Sequence, residues 1–140
     1  MTNNFKKILV PYDDSQNSKR ALKKAITLAR LTSATITLVN VISYHKAIAK
    51  IIQPYKGKVI TYAKHFMNDA KKQALREKVL LNQKILYGTP SEEILKLTKK
   101  SRFDLIVIGK RGSTKITGPS LGSVSNAIVQ SSKIPVMIVM

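Results

Sequence analysis

The 140-residue sequence contains no cysteine and no tryptophan, and only 7 acidic residues stand against 25 lysines and arginines. Without cysteine, the chain can form no disulfide bond, no thiolate zinc site and no cysteine nucleophile. The lack of cysteine also fits a reducing compartment, so we expect a cytoplasmic protein. The formal net charge of +18 predicts non-specific binding to polyanions at low salt.

Long hydrophobic runs are missing as well. The first apolar run, residues 8–10, stops at Pro11 and is too short for the core of a signal peptide. The later runs, residues 105–108 and 135–140, have the length of a strand, and none approaches the ~20 residues that cross a bilayer. We therefore expect no membrane partner. The length and the 44% hydrophobic content predict one globular domain over residues 1–140.

Short β-branched runs alternate with amphipathic stretches along the chain. The runs predict five strands, over residues 7–10, 34–41, 79–87, 105–108 and 134–140. Helical periodicity predicts four helices, over residues 15–31, 58–78, 89–101 and 123–131. Residues 42–57 show no clean period and are interpreted as a mobile loop. This alternation predicts an α/β fold in which helices cover both faces of a parallel sheet.

Local chemistry predicts further details of these elements. Asp14 and Ser15 both suit the N-cap of the first helix. Thr89 and Glu92 fit a capping box at the start of the third helix, with Pro90 in the first helical position. Apolar residues share one side of the long second helix and are predicted to be core: Val59, Tyr62, Ala63, Phe66, Met67 and Ala70.

The glycine-rich loop before the last helix is the strongest pointer to a ligand. Gly109 and Gly112 begin it, and Gly122 and Ser123 end it. Glycine permits a positive φ and a close approach of backbone to an anion, and a helix that begins at Ser123 would aim free N–H groups at a phosphate. The hydroxyls of Ser123 and Ser125 would add donors. An ordinary turn followed by an N-cap would give the same pattern, and the loop matches neither a Walker A motif nor GxGxxG.

Residues 4–140 resemble the universal stress protein family. The resemblance rests on ILVPYDDS near the start, LVNVI in the second strand, YGTPSEEIL before the third helix, and FDLIVIGKRGS and LGSVSNAIVQSSKIPVMIV near the end. The family's ATP-binding branch has Gly, two residues, Gly, nine residues, then Gly-Ser or Gly-Thr. Gly109, Gly112, Gly122 and Ser123 meet that spacing. Residues 117–120 depart from the family's usual apolar or helix-forming stretch, which predicts a looser loop.

The resemblance implies a Rossmann-like sheet of the adenine nucleotide alpha hydrolase-like type, with strand order 3-2-1-4-5. It implies ATP as the ligand, with Asp13 holding the ribose or adenine and the backbone of Val41 reading the adenine. The implied nucleotide-binding residues lie at the carboxyl edge of the sheet: Pro11, Tyr12, Asp13, Val41, Ile108, Gly109, Arg111, Gly112, Gly122, Ser123, Val124 and Ser125.

No catalytic residue and no dedicated metal site can be singled out. Mg²⁺ could bind through the phosphates of the nucleotide, and the adjacent Asp13 and Asp14 could bind a divalent ion, although helix capping is favoured for Asp14. No general base is evident for attack on a γ-phosphate, so any ATPase activity should be slow and enzymatic function is left open.

The resemblance also implies a homodimer formed through the C-terminal strand, which starts at Val136 and ends at Met140. The favoured function is that of an ATP-binding, nucleotide-responsive stress regulator. The alternative is a basic α/β protein that acts chiefly by binding nucleic acid, because the net charge of +18 is large for a domain of this size.

Overall fold

A computed structural model describes residues 5–43, 53–112 and 120–140. In these ranges, five strands alternate with helices. The strands are β1 (Lys7–Pro11), β2 (Thr35–Ser43), β3 (Leu81–Gly88), β4 (Leu105–Gly109) and β5 (Val136–Val139). The α-helices are α1 (Gln16–Thr32), α2 (Lys56–Arg76), α3 (Pro90–Lys100) and α4 (Ser123–Ser131), and a 3-10 turn (Gln53–Tyr55) precedes α2.

The strands form one parallel sheet in the order β3-β2-β1-β4-β5. The predicted fold class and strand order are therefore confirmed. The central strand β1 pairs with β2 and β4 and is apolar on both sides, and Ile8, Leu9 and Val10 are completely buried. A strand covered by helices on both faces has this composition, because neither side meets water.

Two apolar layers hold the helices to the sheet. On one face, α1 and α2 pack through residues such as Leu22, Ala25, Phe66 and Met67. On the other face, α3 and α4 pack through smaller sets that include Ile94 and Ile128. The sheet thus lies between two helical layers, and its carboxyl edge stays open where the loops emerge.

The interval interpreted as a loop, residues 42–57, contains more regular structure than expected. β2 continues through Ile42 and Ser43, because both residues pair with the end of β3. α2 begins at Lys56, so Gly57 lies inside the helix instead of breaking it. The remainder of that prediction, residues 44–52, lies outside the described residues.

The predicted core stripe of α2 is wrong at its first members. Tyr62 is 62% exposed and Val59 is 39% exposed, whereas Ala63, Phe66, Met67 and Ala70 are buried as expected. Both exposed residues lie in the first turns of α2, where the helix borders a second cavity instead of the sheet. Tyr62 packs edge-on against Phe66, with 5.3 Å between ring centroids.

Helix capping also differs from expectation. Ser15 is the N-cap of α1, and its hydroxyl accepts a hydrogen bond from the Ser18 N–H at 3.2 Å. Asp14 lies one residue earlier, with φ 66°, and forms an ion pair with Lys19 at 3.6 Å, so the prediction that it caps the helix is wrong. Thr89 occupies the N-cap position of α3 but makes no side-chain capping bond, which contradicts the predicted capping box.

Candidate functional site

A cavity of about 530 Å³ opens at the carboxyl edge of the sheet. Its walls come from the ends of β1, β2 and β4 and from the first residues of α3 and α4. Because the strand order reverses between β1 and β4, this edge is where open α/β sheets place their ligands. All twelve residues predicted from the sequence line this one cavity: Pro11, Tyr12, Asp13, Val41, Ile108, Gly109, Arg111, Gly112, Gly122, Ser123, Val124 and Ser125.

The segment after β1 is held in place by β2. The Tyr12 N–H donates to the carbonyl of Val39 at 2.8 Å, and the side-chain amide of Asn40 donates to the Tyr12 carbonyl at 2.9 Å. These two bonds continue the β1–β2 pairing past the last ladder residue of β1. As a result, the backbone leading into Asp13 is fixed from both its N–H and its C=O groups.

The Asp13 carboxylate has a defined orientation. One oxygen, Oδ1, accepts a hydrogen bond from the Ser15 N–H at 3.0 Å. The other, Oδ2, approaches Gly112 so closely that a Cβ built on Gly112 would lie 2.8 Å from it. A side chain at position 112 would therefore displace the Asp13 carboxylate, which lies between the end of β1 and the glycine loop as an acceptor in the cavity wall.

Tyr12 forms a fixed, neutral part of the same wall. Its ring lies 5.8 Å from that of Phe66, and the residue is buried. Burial raises the pKa of the Tyr12 hydroxyl above its ordinary value, and the Asp14 carboxylate, 3.4 Å from the hydroxyl oxygen, raises it further. The hydroxyl therefore stays protonated at neutral pH and donates a hydrogen bond to the Asp14 carboxylate.

The start of α4 is tied to the end of β4 by two hydrogen bonds on one carbonyl. The Gly122 N–H donates to the Lys110 carbonyl at 2.9 Å, and the Ser125 hydroxyl donates to the same oxygen at 2.7 Å. The first-turn N–H groups of α4, from Ser123 to Ser125, have no acceptor within the helix. Together with the helix dipole they make this cavity wall favourable for an anion.

Ser125 thus has a different role from the one predicted. Its hydroxyl was expected to face a phosphate, but the residue is only 2% exposed and the hydroxyl donates to the carbonyl oxygens of Lys110, at 2.7 Å, and Gly122, at 3.1 Å. Ser123 is exposed at the cavity, and its hydroxyl is free to turn towards a ligand. Ser125 holds the helix start in position, while Ser123 fits the donor role.

The loop glycines act through close contacts and not through unusual backbone angles. Among the described residues, Gly88 is the one glycine with a positive φ. A Cβ on Gly109 would lie 2.7 Å from the Asn17 backbone, and a Cβ on Gly122 would lie 3.1 Å from the Arg111 Cα. Of the two properties of glycine considered for this loop, close approach and not a positive φ applies to Gly109, Gly112 and Gly122.

Arg111 links the two described ends of the glycine loop. Its Nε donates to the Ser120 carbonyl at 3.0 Å. The sequence predicts a looser loop over residues 117–120. Residues 117–119 lie outside the described part of the chain, and Ser120 lies within it. At Ser120 the contact with Arg111 ties the loop back to the β4 side.

Eight further residues line the cavity that were not selected from the sequence: Ser18, Val39, Asn40, Ser43, Thr89, Pro90, Ser91 and Ile94. Three of them lie in the second half of β2, and four follow β3. Since the carboxyl ends of all parallel strands meet at one edge, the segments LVNVI and YGTPSEEIL carried the signal that could have identified them.

The described residues contain neither a cluster of metal ligands nor a membrane-spanning helix. In residues 5–43, 53–112 and 120–140, no group of three or more His, Asp or Glu side chains is placed to hold a metal ion. Asp13 and Asp14 do not act as a pair, because Asp13 accepts from Ser15 while Asp14 contacts Lys19 and Tyr12. None of the described helices is long and apolar enough to span a bilayer.

Comparisons with a family model, with related sequences and with solved structures all indicate the same protein family. A family model described as the universal stress protein family matches residues 4–140. Universal stress protein YxiE of Bacillus subtilis is 31% identical, covering 96% of this chain and 99% of its own. The solved structure of UspA from Lactobacillus plantarum is 25% identical, with a TM-score of 0.88 and coverage of 97% and 98%. A universal stress protein solved in complex with cAMP is 26% identical, with a TM-score of 0.70 and 96% coverage of both chains.

Proposed function

Since the chain belongs to the universal stress protein family, we propose that it binds ATP in the cavity at the carboxyl edge of its sheet and acts as a nucleotide-responsive stress regulator. One observation carries this proposal. The free first-turn N–H groups of α4 and the oriented carboxylate of Asp13 line the same cavity. The first group suits a phosphate, and the second suits the hydroxyls of a ribose.

The size of the cavity and the relatives support an adenine nucleotide. About 530 Å³ lies within the range of small-molecule sites, and the lining combines apolar walls with a few placed polar groups. The relative in complex with cAMP supports the adenine nucleotide class. The spacing of Gly109, Gly112, Gly122 and Ser123 favours a polyphosphate over a monophosphate. Mg²⁺ would then bind through the phosphates, because Asp13 is the one carboxylate among the described residues that line the cavity.

The proposed output is binding and release of nucleotide, with slow hydrolysis at most. A general base would have to lie near the phosphates at the α4 end of the cavity. Asp13 already accepts from the Ser15 N–H and is assigned to the ribose. Residues 1–140 would act as one cytoplasmic domain whose state reports the nucleotide bound.

Replacing the acceptor at position 13 tests the proposal. Asp13→Asn keeps the shape and an oxygen for the Ser15 N–H but removes the charge. A hydrogen bond to a charged group contributes about 1.5–3 kcal/mol, so we expect the Kd for ATP to rise about 10- to 100-fold. Isothermal titration calorimetry at physiological salt measures this change.

Asp69→Asn is the matched control, because Asp69 is an exposed carboxylate on α2, outside the cavity. We expect its Kd for ATP to equal that of the parent protein. Equal ATP affinity of Asp13→Asn and the parent would contradict the assigned site. Mass spectrometry of small molecules released from the purified protein would identify the resident nucleotide, and a consistent absence of adenylates with no measurable ATP titration would contradict the proposed function.

The homodimer is part of the same proposal. Among the described strands β5 pairs with β4 alone, so it lies at the edge of this sheet, where a strand leaves backbone groups for another chain to pair with. Met137, in this strand, is 37% exposed, and Val129 on α4 and the terminal Met140 are also exposed apolar residues. Strand β5 ends at Val139, one residue before the predicted end at Met140. Pairing of two β5 strands would give hydrogen-bond partners to the backbone groups at this edge and would cover these side chains.

Charge placed on this edge should dissociate the dimer. Met137→Lys would bring two like charges together at the interface, and we expect the dimer Kd to rise at least about tenfold. Analytical ultracentrifugation over a dilution series measures it. Tyr87→Lys, an equivalent change on the opposite edge strand β3, is the control. A parent protein that is monomeric, or a dimer that only Tyr87→Lys disrupts, would contradict the proposal.

A further inference from the structure

The two helical layers differ strongly in charge. α1 carries five lysines and arginines and α2 carries six, and together they contain one acidic residue, Asp69. On the opposite face of the sheet, α3 carries three lysines and two glutamates, and α4 carries no charged residue. The sequence showed lysines along all the long helices. The fold gathers eleven of the 25 basic residues on one face.

The exposed sides of α1 and α2 both lie on this side of the sheet and are called the basic face below. All eleven basic residues are exposed, and Arg30 near the end of α1 contacts Glu77, directly after α2, at 3.1 Å. Two other carboxylates lie near this face: Asp14 contacts Lys19 at 3.6 Å, and Asp69 lies beside His65 at 3.7 Å. The central lysines of the face have no carboxylate within ion-pair distance among the described residues.

We infer that the basic face binds the phosphate backbone of duplex nucleic acid, separately from the nucleotide cavity. With 17 and 21 residues, α1 and α2 extend about 25 and 32 Å at 1.5 Å per residue. Because both helices lie on the same side of the sheet, their basic residues form two rows that can follow the two strands bordering a groove. Lysines on a rigid surface contact phosphates and not base edges, so the binding is independent of sequence.

Other polyanions fit this face less well. The apolar sides of α1 and α2 are buried against the sheet, so neither helix can place an apolar stripe in a lipid surface. Single strands bind through stacking on aromatic rings, but α1 has no aromatic residue and the one exposed phenol of α2 belongs to Tyr62. A duplex needs neither feature, because its regularly spaced phosphates supply the binding energy.

Three adjacent lysine pairs provide a matched test. Lys23 with Lys24 and Lys71 with Lys72 lie on the basic face, whereas Lys99 with Lys100 lies on α3, and all six are exposed. Changing both members of one pair to glutamate alters the net charge equally in each variant. Fluorescence anisotropy with a labelled DNA duplex of about 20 base pairs, over a salt series, measures the affinity.

We expect each basic-face variant to lose at least about tenfold in duplex affinity at about 100 mM salt. The negative slope of log K against log salt should become less steep by about 2, because two phosphate contacts are lost. The Lys99 and Lys100 variant should lose less than about threefold. Equal losses in all three variants would mean that net charge alone acts and would overturn the inference. So would a parent protein that fails to bind the duplex at that salt concentration.

Two further experiments distinguish duplex binding from binding to lipid or to single strands, and from nucleotide binding in the cavity. Tighter binding to phosphatidylserine vesicles or to the single strand than to the duplex would overturn it, as would displacement of the duplex by saturating ATP. Asp13→Asn should bind the duplex as the parent does, so failure of the ATP proposal leaves this test intact. Circular dichroism tests whether each variant is folded. Where a double glutamate variant does not fold, the same two lysines are changed to glutamine instead.

Discussion

Gly109→Ala is expected to destabilise the protein by about 3 kcal/mol, a large part of the 5–15 kcal/mol that stabilises a typical domain. The added Cβ would lie 2.7 Å from both the carbonyl carbon and the oxygen of Asn17. These are backbone atoms in the first turn of α1, so no side-chain rotation relieves the contact. α1 would have to move away from the end of β4, where the two elements now touch directly. Urea unfolding measures the change.

Gly57→Ala is the control for that experiment. Gly57 lies in the first turn of α2, and a Cβ built there meets no atom within 4 Å. Alanine restricts the unfolded chain and favours helix, so this variant should gain about 0.5 kcal/mol. If both alanine variants unfold at the urea concentration of the parent, the close approach of α1 to β4 is not as described.

Gly122→Val is expected to weaken ATP binding about 100-fold, close to 2.7 kcal/mol. Gly122 has φ −66° and ψ 164°, angles that valine adopts readily, so the effect is steric and not conformational. Its Cβ would lie 3.1 Å from the Arg111 Cα and 3.6 Å from the Lys110 carbonyl oxygen, and the two methyl groups would add to the conflict. The start of α4 would be pushed away from Lys110, and its N–H groups would no longer meet the phosphates.

Gly122→Ala tests the same steric effect with a smaller side chain. One methyl group requires the loop to shift by only a few tenths of an ångström, so a loss of about threefold is expected. Calorimetric titration of ATP into both variants, with thermal unfolding measured in parallel, separates affinity from stability. A folded valine variant with parental ATP affinity would show that phosphates do not bind at the start of α4.

The two glycines show that one loop serves both the fold and the candidate site. Gly109 permits contact between α1 and β4, which lies within the packing of the fold. Gly122 permits contact between the α4 start and the other side of the loop, which shapes the cavity wall. We therefore expect substitution of Gly109 to act mainly on stability and substitution of Gly122 mainly on affinity.

The amino-acid sequence alone determined the types of the elements and much of the candidate site. Apolar runs and helical periods predicted the five strands and four helices to within a few residues, because local propensity and burial pattern act over short segments. The resemblance supplied the strand order and the twelve cavity residues. No boundary was wrong by more than two residues, and at the start of α2 the error arose because Gly57 did not prevent helix formation.

Only the tertiary structure decided what individual side chains contact. Ser125 donates to Lys110 and not to the cavity, and Tyr62 faces solvent at the end of an apolar stripe. Eleven basic residues that are scattered in the sequence share one face because α1 and α2 pack on the same side of the sheet. Each outcome depends on atoms far away along the chain, which local propensity does not encode, so packing had to bring the partners together before contacts and exposure were fixed.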